Sequence, residues 1–120
     1  MCGIAGLVYA DPRYPLDRDL LNRMTASLAH RGPNAQGLQT WPGAALGHRR
    51  LSIIDLATGD QPIFSEDRRK AVILNGEIYN FRALRQHLEG RGHRFSTRSD
   101  TEGIVHAYGD FGPRCVGRLV

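Results

Sequence analysis

The sequence predicts an α+β domain with largely antiparallel strands. Short strand-like runs and helix-period segments are intermixed, without the regular alternation of a parallel βαβ sheet. Turn residues, Pro42-Gly43 foremost, separate neighbouring strand-like runs. The chain has 120 residues and 41% apolar composition, enough for one small domain with one core and too little for two.

Gly3 to Tyr9 is an apolar run with small residues, the pattern of a buried strand, and Asp11-Pro12 and Pro15 punctuate it as a loop. From Asp17 to His30 the apolar positions Leu20, Leu21, Met24 and Leu28 recur at helical spacing. Asp17 is the expected N-cap of that helix and Gly32-Pro33 its stop. Gly37–Trp41, Ala44–Arg50 and Leu51–Ile54 read as short strands. Ala57 to Pro62 reads as loop, and Ala71–Leu74 as a buried strand that runs into Asn75-Gly76. Asn80 is the expected cap of a helix through Leu84 and Leu88, ending near Gly90 and Gly92. Ser99-Asp100-Thr101-Glu102 has the form of a capping box, opening a second helix that reaches Gly109 or Gly112. The chain stops at Val120 within an apolar segment, which reads as a fragment of a longer protein.

No run of eighteen or more residues is apolar, and the N-terminus lacks the pattern of a signal peptide. The expected compartment is the cytoplasm. The net charge is +4, with Lys70 the sole lysine, and the arginines are spread from Arg13 to Arg118 among acidic residues. That pattern fits solvated surfaces rather than a nucleic-acid groove, and no aromatic platform or nucleic-acid motif accompanies it. No nucleic acid and no membrane are therefore expected as partners. Cys2 and Cys115 lie at opposite ends, with no disulfide framework. Cys115 reads as a small buried side chain.

Cys2 is chemically distinct because it follows Met1. Removal of Met1 leaves a residue that carries both a thiol and an α-amine, and such an amine, with a reference pKa of about 7.7–8.0, is partly neutral at physiological pH. It can take the thiol proton and return it to a leaving group, so one residue supplies nucleophile and base. At Asn75-Gly76 two readings stand side by side. The dipeptide is a common hairpin turn, but the Asn75 amide and the Gly76 N–H can also converge as a two-donor oxyanion hole. In a strand, Arg49 and Arg50 project to opposite faces. They are either surface arginines, or one of them is a bidentate grip for a carboxylate. The capping box accounts for Ser99 and Glu102 and leaves Asp100 free to bind an ammonium group. The five histidines show neither helical ligand spacing nor a nearby cysteine cluster, so no metal site is expected.

The ordered set Met1-Cys2-Gly3-Ile4-Ala5-Gly6, His30-Arg31-Gly32-Pro33, Arg50-Leu51-Ser52-Ile53-Ile54-Asp55-Leu56, Gln61-Pro62, Asn75-Gly76-Glu77-Ile78-Tyr79-Asn80 and Ser99-Asp100-Thr101-Glu102 resembles one family. It is the glutaminase domain of the class II, N-terminal-nucleophile amidotransferases, and the branch most similar is glutamine-hydrolysing asparagine synthetase. The resemblance covers essentially the whole chain, so residues 1–120 are expected to be the N-terminal part of a type 2 glutaminase domain. It implies a four-layer αββα sandwich of the N-terminal-nucleophile hydrolase type, incomplete here. It also implies that Cys2 attacks the side-chain amide of glutamine to give a thioester and ammonia, with Asn75 and Gly76 as the oxyanion hole. Arg50 would hold the α-carboxylate with the backbone of Leu51 and Ile53 nearby, while Glu77 and Asp100 would engage the α-ammonium. No cofactor is implied for this domain. ATP and magnesium belong to the synthetase domain of the same polypeptide, which would receive the ammonia, and a homodimer is implied for the full-length protein. The alternative is an inactive relic that keeps the motifs as a structural or interaction module. Arg49 stands where many relatives carry another residue.

Overall fold

The computed structural model describes residues 1–52 and 57–120. The expected strand residues Ile53 and Ile54 lie outside them, and Leu51 and Ser52 are not strand. The described chain forms two units, one of residues 1–52, 60–62 and 73–75, the other of 57–59, 63–72 and 76–120. It passes from the first to the second for the last time at the Asn75–Gly76 bond. Both units are α+β in character with antiparallel strand pairing, as expected from the sequence.

In the first unit, β1 (Gly3–Val8), α1 (Arg18–Ala26), β2 (Ala35–Trp41) and β3 (Ala44–Arg50) follow one another. β3 is central and pairs antiparallel with both neighbours. Gly3 lies opposite Arg49 and Val8 opposite Ala44, while Ala35 lies opposite Arg50 and Trp41 opposite Ala44. Pro42-Gly43 makes the β2–β3 turn. Proline fixes a negative φ at the first central position and Gly43 takes φ 75° at the second, the pairing a type II turn requires.

α1 starts as expected, with Asp17 Oδ1 accepting the Leu20 N–H at 2.8 Å. It packs on the sheet and buries Leu21 and Thr25 completely. It ends at Ala26, however, not at His30. The Thr25 hydroxyl donates to Leu21 O at 2.8 Å and that of Ser27 to Met24 O at 2.7 Å, competing with the backbone for the last carbonyls. The following amides of Leu28, Ala29 and Arg31 bond three residues back, so the chain tightens out of the α-helix.

Side chains alternate across β3. The Gly47 position faces Thr25 of α1, and Arg49 shares that face, its Nε donating to Gly32 O at 2.8 Å and its Nη1 to Gln36 Oε1 at 3.2 Å. Those bonds supply a role for Arg49. His48 and Arg50 point the other way, toward residues 60–62 and 73–75. At Gly37, opposite His48, a Cβ would stand 1.7 Å from Gln61 O, so only glycine lets the 60–62 segment lie against β2.

The second unit holds β4 (Ile63–Phe64) paired with β5 (Ala71–Val72), then α2 (Phe81–Gly90), α3 (Glu102–Phe111) and a 3-10 helix, Gly112–Arg118. Its core joins Leu84 and Leu88 of α2 to Ala107 of α3 and the buried Cys115, with Phe95, Phe111 and Leu119 packed around them. The strand expected over Ala71–Leu74 pairs only at Ala71 and Val72, and its residues are half-buried. At Leu74, side chains replace the ladder: Gln61 Oε1 accepts its N–H and His48 Nε2 bonds its carbonyl.

Two expected caps are corrected. Asn80 sits at the start of α2 without a side-chain cap bond. Its amide donates instead to Arg118 O at 2.8 Å and accepts from Val120 N at 3.1 Å, tying down the end of the 3-10 helix. The Ser99–Glu102 box does not close either. Glu102 Oε1 accepts the N–H and hydroxyl of Ser96, and Oε2 those of Thr97, so neither oxygen turns to Ser99 N. Ser99 Oγ caps only locally, accepting Thr101 N at 3.2 Å. Among the described residues, no helix is long and apolar enough to cross a membrane.

Candidate active site

The first unit gathers Cys2, Arg50, Leu51 and Asn75. Cys2 precedes β1 at its pairing with Arg49, so by alternation it falls to the face that carries His48 and Arg50. Its sulfur is half-buried and lies against the backbone just beyond β3. Leu51 N–H donates to Sγ at 3.3 Å, and Sγ lies 3.7 Å from Leu51 O. Arg31 Nε donates to the Cys2 carbonyl at 3.0 Å. Backbone and sulfur of Cys2 are thus fixed from two sides. The sequence reading found no chemistry in His30-Arg31-Gly32-Pro33, and nothing local in that tetrapeptide signals the bond to Cys2, 29 residues away.

Arg50 is buried to 5% exposure yet held in ionic contact, its Nη1 2.6 Å from Asp60 Oδ1. Asp60, 69% exposed at its side chain, takes the role of carboxylate partner that the sequence reading reserves for a ligand. A guanidinium presents several donors in a rigid fork, a geometry suited to gripping carboxylates.

Asn75 follows a residue held at both backbone atoms. Gln61 Oε1 accepts Leu74 N–H at 2.6 Å, and His48 Nε2 lies 3.2 Å from Leu74 O. A carbonyl only accepts, so that imidazole nitrogen carries the proton. Burial holds His48 below its ordinary pKa and the positive charge of Arg50 adds to this, against the opposing pull of the Leu74 bond and Asp60. His48 is therefore a neutral donor at physiological pH. Sequence reasoning missed both His48 and Gln61 as supports of the Asn75 segment. The hairpin reading of Asn75-Gly76 is excluded, because β5 pairs with β4, ahead of it in the chain, and the dipeptide is a bend.

The second unit carries Gly76, Glu77 and Asp100. Gly76 and Glu77 are exposed. Asp100, expected to be free, is buried to 7% exposure, and its Oδ2 accepts the Ile78 N–H at 2.7 Å. Among the described residues its Oδ1 has only long contacts, with the hydroxyls of Ser99 at 3.5 Å and Thr101 at 3.4 Å. Asp100 thereby anchors the segment that begins at Gly76, and one oxygen retains room for a stronger donor. Ile53 lies outside the described residues. A cleft of about 320 Å³ between β5 and α3, lined by Lys70, Val72, Ile104 and Tyr108 among others, holds none of the expected site residues.

Over its whole length the chain is similar to known proteins. A family described as "Glutamine amidotransferase domain" matches residues 1–120. Asparagine synthetase [glutamine-hydrolyzing] 3 of Arabidopsis thaliana is 40% identical over 119 residues, covering 99% of this chain and 20% of the relative. The corresponding Bacillus subtilis protein, asparagine synthetase [glutamine-hydrolyzing] 1, is 37% identical over 121 residues, 99% of this chain and 19% of the relative. Asparagine synthetase [glutamine-hydrolyzing] of Sandersonia aurantiaca is 42% identical, with 99% and 22% covered. The chain spans about a fifth of the length of these relatives. It belongs to the class II glutamine amidotransferase domain family.

Proposed function

We propose that this chain is the glutaminase part of an asparagine-synthetase-like amidotransferase, and that Cys2 is its nucleophile. The observation that carries the reading is the fixed thiol: Cys2 Sγ rests against the Leu51 N–H at 3.3 Å while Arg31 holds the adjoining carbonyl at 3.0 Å. Fixing a nucleophile relative to its target removes much of the entropic barrier to attack.

In the proposed reaction Met1 is first removed, which frees the Cys2 nitrogen to serve as base. The thiol attacks the side-chain amide carbon of glutamine, and its proton passes through the amine to the leaving nitrogen. Ammonia departs, and water then releases glutamate from the thioester. Asn75 and the Gly76 N–H stabilise the oxyanion, with Gln61 and His48 steadying the backbone that presents Asn75. Arg50 holds the α-carboxylate, aided by the backbone at Leu51 and Ile53, and Glu77 and Asp100 receive the α-ammonium. The second oxygen of Asp100, with its long contacts, supports that role.

The relatives' names and lengths support a longer polypeptide with a synthetase domain; to this we add, as part of the proposal, that the domain works with ATP and magnesium and consumes the ammonia in the cytoplasm. The wider frame we propose is the four-layer αββα sandwich, to which the antiparallel sheet covered by α1 would contribute two layers, and a homodimer of the full-length protein.

The test is Cys2→Ala in the full-length polypeptide. Glutamate release from glutamine should vanish while amidation from added ammonia continues. Equal loss of both would assign Cys2 to folding. Protein that retains Met1, identified by intact mass, should also release no glutamate, and activity in that form would overturn the amine's role as base.

A further inference from the structure

The second unit brings together three side chains that the glutaminase reading does not use. Glu66 lies in the turn between β4 and β5, His93 follows α2, and His106 lies within α3. One ligand atom from each lies within 4.8 Å of the other two. His93 Nδ1 is 3.7 Å from Glu66 Oε1, and the two imidazole rings stand 4.9 Å apart between centroids. Phe95 walls the His106 ring at 4.6 Å.

Each histidine already commits one nitrogen to a carboxylate. His93 Nε2 bonds Asp110 Oδ1 at 3.0 Å, and His106 Nε2 bonds Glu102 Oε1 at 3.3 Å. An outer carboxylate on one ring nitrogen fixes the tautomer and orientation of an imidazole and makes its other nitrogen a better metal ligand.

We propose that Glu66, His93 and His106 form a binding site for a divalent transition-metal cation of the zinc class, with at least one coordination position open to solvent. Two imidazoles and a carboxylate suit zinc or cobalt rather than magnesium or calcium, which favour all-oxygen shells. Metal–nitrogen bonds of about 2.0–2.1 Å in a tetrahedron place ligand atoms about 3.3 Å apart. The 3.7 Å approach of His93 to Glu66 is close to that already. The wider separations require closure that Glu66, exposed and carried on a turn, is able to make. Glu66 Oε1, the oxygen facing His93, also accepts the Arg94 N–H, which ties the carboxylate to the segment that carries His93. A bound ion would join the β4–β5 turn, the segment after α2 and α3 in one cross-link.

The experiment uses the chelator-treated full chain carrying Cys2→Ala, so that an N-terminal thiol and amine cannot chelate, and titrates it with Zn2+ and Co2+. One equivalent of Zn2+ should bind and raise the unfolding temperature, and Co2+ should give the intense visible absorption of low-coordinate cobalt. Glu66→Gln, at an exposed position, should weaken Zn2+ at least about tenfold. His93→Gln should do the same and abolish the cobalt spectrum. Absence of stoichiometric binding, or binding that Glu66→Gln leaves unchanged while circular dichroism shows intact folding, would overturn the site. Neither result bears on glutamine hydrolysis.

Discussion

His48 Nε2 meets the carbonyl of Leu74 at 3.2 Å, joining the central strand to the residue just before Asn75. Its imidazole is buried to 1% exposure, and the opposite end of the Leu74 peptide unit is bound by Gln61. The backbone that leads into Asn75 is therefore held by two side chains, His48 and Gln61.

Substituting His48 with Leu should cost about 1–3 kcal/mol, the range for leaving a buried carbonyl without its donor. The wild-type bond also carries a pH signature. His48 has a pKa below 6.5 in the folded state, so the unfolded chain takes up the proton first as pH falls. Its contribution is complete above 6.5 and declines as pH drops through the lowered folded value. Denaturant unfolding at several pH values should show this decline in wild type and its absence in His48→Leu.

Asn75→Ala should lower turnover more than it weakens glutamine binding, because an oxyanion donor acts mainly in the transition state. The expected loss is about 10²–10³ in kcat. Gln61→Ala, which frees Leu74 N, should reproduce a smaller part of that loss with little change in KM. An unchanged kcat in Asn75→Ala would remove the residue from the oxyanion hole.

Arg50→Ala should chiefly raise KM for glutamine, since a carboxylate clamp holds ground and transition states alike. Asp60 offers a sharper test, because it already occupies Nη1 of that guanidinium. Asp60→Asn relieves competition with the incoming carboxylate, and KM should fall, by about fivefold at most because the Asp60 end of the pair is exposed to solvent. A rise in KM would mean that Asp60 orients Arg50 instead of opposing substrate.

Glu102 collects four donors from Ser96 and Thr97 and a fifth from His106. Glu102→Gln turns an amide NH₂ toward some of these donors within a buried site, and should destabilise the protein by about 1–3 kcal/mol. The folded carboxyl titrates near 2 against an ordinary 4.5, so the stabilisation is whole above 4.5 and disappears between there and about 2. Acid unfolding followed by circular dichroism should begin in that window in wild type. The variant should be weaker throughout and lose the dependence.

The legible parts of the chain were those set by neighbours in sequence. Period-two alternation placed Arg49 and Arg50 on opposite faces of β3, and Pro42-Gly43 marked its turn. Asp17 caps α1 because its partner, Leu20, is three residues away. Errors arose wherever a polar side chain had a distant alternative. Asn80 reached the 3-10 helix, 38 residues on, in preference to its own helix. Glu102 turned to Ser96 and Thr97 instead of Ser99, which satisfies a carboxylate that is itself buried to 1% exposure. The partners of Arg50, Leu74 and His93 likewise depend on loop paths, which no local spacing encodes.

Gly37 shows how far such dependence extends. It bears no functional group, yet a single methyl there would collide with the Gln61 carbonyl at 1.7 Å. The displaced segment holds both Asp60, on Arg50, and Gln61, on Leu74. One added carbon would thus disturb the proposed carboxylate clamp and the Asn75 support together. Gly90, with open space within 4 Å of its own hypothetical Cβ, imposes no comparable constraint. Residue 37 should accordingly tolerate substitution far less than residue 90: the empty volume at Gly37 is what lets the segment beneath the proposed site keep its place.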